Sequence, residues 1–104
     1  MMLKDKIKTR SQLKMLIKGL KDKGKRIAFT NGCFDIIHPG HAEYLEAAKK
    51  GADILVVAVN SDKSVRRLKG DGRPIIDEKG RATVLAALQS VDYVTIFDEI
   101  DPLN

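Results

Sequence analysis

Residues 53–60 read DILVVAVN, and the unbroken apolar run from Ile54 to Val59 constrains the fold more than any other stretch. A strand with one face in water alternates apolar and polar positions, whereas a strand covered on both faces reads as a continuous aliphatic run. A central parallel strand is therefore expected here. Upstream, Ile27 to Thr30 is a shorter strand delivered into Asn31-Gly32. His41 to Lys50 then has the pattern of a helix, with Pro39 and Gly40 at its entry, Leu45 and Ala48 turned inward and Gly51 as its stop. Strand, helix, strand is a βαβ unit, and such units are right-handed in nearly all proteins.

The flanking segments extend this α/β reading. Ser11 or Thr9 caps a first helix whose Leu13, Leu16, Ile17 and Leu20 recur at the spacing of one apolar stripe, and Gly24 ends it. Asp62 to Leu68 is a short basic helix or turn. Gly70-Asp71-Gly72-Arg73-Pro74 is the stretch richest in loop formers, expected to be mobile and to lie at the same sheet edge as the first glycine turn. Thr83 to Ser90 is predicted helical, with Val84, Leu85 and Leu88 as core candidates, and Tyr93 to Phe97 supplies a third parallel strand. A single domain over residues 1–104 follows, with a basic leading helix in 1–25; the fold class is a Rossmann-like, doubly wound parallel sheet.

Composition narrows the function classes. Aromatic residues make up only 5% of the chain, too few for the stacking platforms of single-strand nucleic-acid binders. A lone cysteine supports neither a disulfide framework nor a structural zinc site, which makes a cytoplasmic setting the default. No apolar stretch is long enough to span a membrane. Residues 1–26 hold ten Lys and Arg against Asp5 and Asp22, while residues 27–104 hold nine basic against twelve acidic residues. The basicity belongs to the leading helix, where a solvated charged face explains it, and a nucleic-acid partner is disfavoured.

Residues 29–41, FTNGCFDIIHPGH, contain both histidines and the cysteine. Ligands of doubly wound sheets sit outside the carboxyl ends of the strands, where this loop lies. Gly32 and Gly40 would let the backbone approach a ligand, and a helix starting at His41 would aim free N–H groups and its positive dipole end at an anion. His38 and His41 lie three residues apart across that start, so both imidazoles can donate to one phosphate, which suits phosphoryl or nucleotidyl transfer. Asp35 is expected to hold the loop by accepting backbone N–H bonds, with a metal role through water left open. Cys33 has no base partner in sequence and reads as a packing residue. Gly70-x-Gly72 completes no dinucleotide fingerprint.

GCFDIIHPGH resembles the first signature of the HxGH nucleotidyltransferase superfamily. The longer stretch through VAVNSDKSVRRLKGDGRPI and RATVLAALQSVDYVTIF, roughly residues 26–102, is similar to the heptose 1-phosphate adenylyltransferase branch. The resemblance implies a sheet of the nucleotidylyltransferase type and in-line attack of a sugar 1-phosphate on the α-phosphorus of ATP, with pyrophosphate released and lipopolysaccharide core heptose as the destination. It gives His38 and His41 the α-phosphate, and Lys69 a phosphate contact from the mobile loop. The nucleotide would be lined by Thr30, Asn31, Gly32, Cys33 and Phe34, with Asp35 and Gly40 beside it and Arg81 as a phosphate clamp opening the next helix. Magnesium would come with ATP, held more by phosphates and water than by the protein. On the residues alone, Lys69 and Arg81 read equally as surface side chains, and Asn60 and Asp62 either contact the ligand or form an Asx turn.

Family members continue with two more strands and a Ser/Thr-rich signature at a helix start; the 104 residues are expected to be a fragment of such an enzyme, ahead of a naturally short nucleotide binder or a site completed by another chain, and alone to adenylylate poorly. The resemblance also suggests a homodimer, and a sugar kinase fused in front, for which residues 1–25 leave no room. Rival readings are a glycerol 3-phosphate cytidylyltransferase, an FAD-synthetase-like enzyme, and a non-catalytic nucleotide-binding module that uses Lys14, Lys18 and Lys21 as its contact surface.

Overall fold

The apolar run of residues 54–59 becomes the middle strand of a three-stranded parallel sheet. In a computed structural model that describes residues 2–98, the elements are α1 (Arg10–Asp22), β1 (Ile27–Gly32), α2 (Pro39–Lys49), β2 (Ile54–Asn60), α3 (Asp62–Lys69), α4 (Glu78–Ala86) and β3 (Tyr93–Phe97). The order across the sheet is β1-β2-β3. Ile27 pairs with Ile54 and Gly32 with Val59 on one side of β2, and Val56 with Tyr93 and Asn60 with Phe97 on the other. Helix α2 packs on β1 and β2, α4 on β2 and β3, and α1 on β3. Leu55, Val57 and Val59 of β2 are fully buried among Leu45 of α2, Leu85 of α4 and Val94 of β3. Residues 99–104 lie outside the described residues.

The leading segment does more than precede the fold. Ile7 bridges Val94, and Lys8 N donates to the Val94 carbonyl at 2.8 Å, so the outer edge of β3 is partly covered. Lys6 Nζ reaches the carbonyls of Leu88 and Val91 at 3.3 and 2.8 Å. Of the two candidate caps, Thr9 starts α1: its hydroxyl accepts from Gln12 N, and the Gln12 side chain answers to Thr9 N.

Three expected boundaries move, each for a local reason. β1 runs two residues further, to Gly32, because the parallel ladder to β2 continues through Val59. α2 begins at Pro39 instead of His41, since His38 serves as its cap. α4 covers Glu78–Ala86 instead of Thr83 to Ser90, because the Asp77 carboxylate accepts from Gly80 N and nucleates the helix earlier. That phase buries Arg81, Ala82, Leu85 and Ala86 and leaves Val84 47% exposed, so Val84 is not a core residue. Asn60 and Asp62 form no Asx turn; Ser61 caps α3 by accepting from Ser64 N, and Asn60 donates to Ser64 Oγ.

Candidate active site

A cleft of about 650 Å³ opens at the carboxyl end of β1. Its lining includes Asn31, Gly32, Cys33, Phe34 and Asp35 from the strand exit, His38 and His41 from the start of α2, and Lys69 from the end of α3. These come from separate parts of the chain, and the sheet brings them together. Ile36, Tyr44 and Arg73 also line the cleft and were not among the expected site residues. Tyr44 was legible in principle, because it lies three residues after His41 on one helical face. Arg73 was not, since only the folded loop carries it there.

The two histidines form a reciprocal cap. His38 Nδ1 accepts from Gly40 N at 3.0 Å, and His41 Nδ1 accepts from His38 N at 3.2 Å. Only an unprotonated ring nitrogen accepts an N–H, so both neutral rings carry their proton on Nε2. The ring centroids are 4.1 Å apart with planes tilted by 38°. Burial, followed by repulsion from His38, lowers the His41 pKa below its ordinary 6.5, which keeps that ring neutral near pH 7.

This cap changes the expected source of anion recognition. Pro39 has no N–H, the Gly40 N–H is taken by His38 Nδ1, and the His41 N–H goes to the His38 carbonyl at 2.9 Å. The backbone donors expected at the helix start are consumed within the cap, so the imidazole Nε2–H groups are the donors left for a ligand. The glycines are explained differently too. A Cβ on Gly40 would stand 2.7 Å from His38 Cε1, and one on Gly32 would stand 3.0 Å from the Phe34 ring. Both make room for side chains of the site itself.

Phe34 sits at φ +48°, a region seldom used by residues with a Cβ, and its buried ring meets His41 edge-on at 5.7 Å. Thr30 is not among the residues lining the cleft; its hydroxyl shares a 3.1 Å hydrogen bond with Tyr44. Asp35 holds the loop, as its position suggested. Its carboxylate accepts from Ile75 N at 2.8 Å, Ile76 N at 3.0 Å and Arg73 Nη1 at 2.8 Å. Burial alone would raise the Asp35 pKa, but the bonds from Ile76, Arg73 and Ile75 together hold it below the ordinary carboxylate value.

Arg81 is a correction. It is 1% exposed and does not line the cleft. Nε donates to the Ile76 carbonyl at 2.9 Å, Nη1 to those of Cys33 and Asn60 at 2.7 and 2.6 Å, and Nη2 to Asp62 at 2.7 Å. A guanidinium so committed ties the β1 exit, the β2 exit and the 70s loop together; it is not presented as a phosphate clamp. Among the described residues no three His, Cys, Asp or Glu side chains converge as a metal cage. Asp35 already accepts from its neighbours at both carboxylate oxygens, so the residues present do not fit a protein-held magnesium ion. No described helix is long and apolar enough to cross a membrane.

Residues 29–104 match the cytidylyltransferase-like family. The chain is 57% identical over 99 residues to the bifunctional protein HldE of Pelobacter propionicus and to that of Geobacter metallireducens, covering 95% of this chain and 20% of each relative. It thus spans about a fifth of the length of the curated relatives it matches. The solved structure of the lipopolysaccharide core biosynthesis protein from Thermoplasma volcanium superposes with a TM-score of 0.68 at 37% identity, over 77% of this chain and 64% of that one.

Proposed function

The chain belongs to the cytidylyltransferase-like family, and on that premise we propose that it is the nucleotidyl-transferring part of an enzyme that moves AMP from ATP to heptose 1-phosphate. The observation that carries this reading is the reciprocal histidine cap, which leaves two Nε2–H donors for one phosphate at the mouth of the cleft. The names borne by the relatives, HldE and a lipopolysaccharide core biosynthesis protein, support a sugar-phosphate acceptor for core assembly.

In this mechanism a phosphate oxygen of the acceptor attacks the α-phosphorus, forming a new O–P bond as the bond to the bridging oxygen breaks. Pyrophosphate leaves with that electron pair. His38 and His41 donate from Nε2 to the non-bridging α-phosphate oxygens, where charge builds in the transition state. His41, its pKa lowered by burial and then by His38, acts here as a hydrogen-bond donor and takes no proton. Lys69 adds a positive charge for the leaving phosphates, and Asn31 to Phe34 line the nucleotide. Magnesium would come with ATP as its complex, and no residue of this chain is assigned to hold it.

A second reading, transfer of CMP from CTP, is favoured by the description of the family. Calorimetric titration with the magnesium complexes of ATP and CTP, alongside detection of pyrophosphate released in the presence of heptose 1-phosphate, separates the two. ATP is expected to bind this chain more tightly, and to be the nucleotide consumed by the longer enzyme of which the chain is read as part. Binding of CTP about tenfold tighter than ATP, a difference of about 1.4 kcal/mol, would refute adenylyl transfer.

A further inference from the structure

Arg73 lies on the loop between α3 and α4 and lines the same cleft as the two histidines and Lys69. One guanidinium nitrogen, Nη1, donates to Asp35 Oδ2 at 2.8 Å, and no other side-chain bond of Arg73 is present among the described residues. Its side chain is 43% exposed while that of Asp35 is 7% exposed. The carboxylate is thus the anchored partner and the arginine the one that reaches into open space. Asp35 cannot swing to follow it, because Ile75 N and Ile76 N also bond to the carboxylate.

That arrangement orients a cation without using it up. A guanidinium is a planar fork of N–H donors suited to phosphate oxygens, and one bond to Asp35 leaves the rest of the fork unspent. The Asp35 charge is shared with two backbone N–H groups, so it offsets Arg73 only in part. The charged side chains lining the cleft are Asp35, Lys69 and Arg73, which leaves a positive surplus beside two imidazoles that donate from Nε2.

We propose that Arg73, held by Asp35, is a phosphate-binding residue of this cleft, acting with Lys69 on a phosphate group of the bound ligand. The assignment rests on the reading of the cleft as a phosphate site. The phosphate belongs either to the nucleotide or to the sugar phosphate acceptor, which share this chemistry.

Calorimetric titration of the 104-residue chain with magnesium-ATP and, separately, with heptose 1-phosphate tests the proposal in Arg73→Gln, Arg73→Lys and His41→Ala. Arg73→Gln is expected to weaken at least one probe by about tenfold or more, with Arg73→Lys between it and the parent. Loss on the ATP arm assigns the nucleotide, and loss on the sugar arm assigns the acceptor. Binding of both probes within about twofold of the parent in Arg73→Gln overturns the proposal, as does a parent chain that binds neither probe saturably. If Arg73→Gln is unfolded at the assay temperature, Arg73→Lys decides: about threefold weaker binding sustains the assignment and unchanged binding ends it. Where His41→Ala abolishes ATP binding and Arg73→Gln leaves both probes within about twofold of the parent, the Arg73 assignment fails while the proposed function stands. Where neither variant matters, both fail.

Discussion

Gly40→Ala separates the role of the histidine cap from the stability of the fold. A Cβ at position 40 would lie 2.7 Å from His38 Cε1 and 3.0 Å from Nδ1, closer than such atoms pack. The obstacle is the far end of a side chain, so the imidazole swings off the helix start while the backbone stays. The swing breaks the bond from Gly40 N to His38 Nδ1, and a lost N-cap costs about 1 kcal/mol. Alanine returns up to about 1 kcal/mol over glycine within a helix. The net change in unfolding free energy is expected to stay within about 0.5 kcal/mol, or about 2–4 °C in Tm for a chain of this size. Function does not share that cancellation. With His38 displaced, magnesium-ATP binding is expected to weaken about tenfold, and turnover in the active enzyme to fall about 10²-fold, the cost of one lost transition-state donor. Urea unfolding, calorimetry and ¹⁵N imidazole spectra of the His38 tautomer measure the three quantities. A variant with parental nucleotide binding and an unchanged His38 spectrum would refute the reasoning. So would a stability loss beyond about 2 kcal/mol, since the ring would then have been unable to move.

Other substitutions test the surrounding framework. Arg81→Met strips bonds from the carbonyls of Cys33, Asn60 and Ile76 and leaves Asp62 without its partner. At about 1–3 kcal/mol for each buried group left short, the loss is expected to reach about 3 kcal/mol or more in urea unfolding. A variant of parental stability that cannot bind ATP would instead restore the clamp. For His41, whose folded pKa lies below the ordinary 6.5, the unfolded chain takes up a proton before the folded one. Its contribution is therefore neutral above the unfolded pKa and destabilising as pH falls through it, until the folded pKa is reached. Stability followed downward from pH about 8 should fall in that window, and His41→Gln should flatten the fall; a parent that gains stability there contradicts the lowered pKa. Thr9→Ala removes the α1 cap and should cost about 1 kcal/mol by thermal melting, whereas an unchanged Tm would mean that the cap is redundant.

The sheet was legible because its signals are local. The apolar run of β2 and the third strand at Tyr93 to Phe97 formed where patterning placed them, and β1 formed too, running two residues past its expected end. α4 was misjudged because Val84, Leu85 and Leu88 suggested one apolar face, whereas the Asp77 cap and the buried Arg81 set another. A buried arginine is invisible to hydrophobic periodicity. Its burial depends on carbonyls from three separate segments that meet only after folding.

The same division holds at the site. The sequence by itself determined the parallel α/β architecture, the sheet edge at which the cleft opens and the pairing of His38 with His41, because strand patterning and a three-residue spacing are properties of neighbouring residues. Only the tertiary structure decided how those residues are used. It turned both Nδ1 atoms toward backbone N–H groups, gave Gly40 to His38 and Gly32 to Phe34, anchored the 70s loop on Asp35, withdrew Arg81 into the interior and set Arg73 in the cleft. The physical reason is that hydrogen-bond donors and acceptors in a buried loop cluster must be satisfied together, and their partners come from segments distant in the chain.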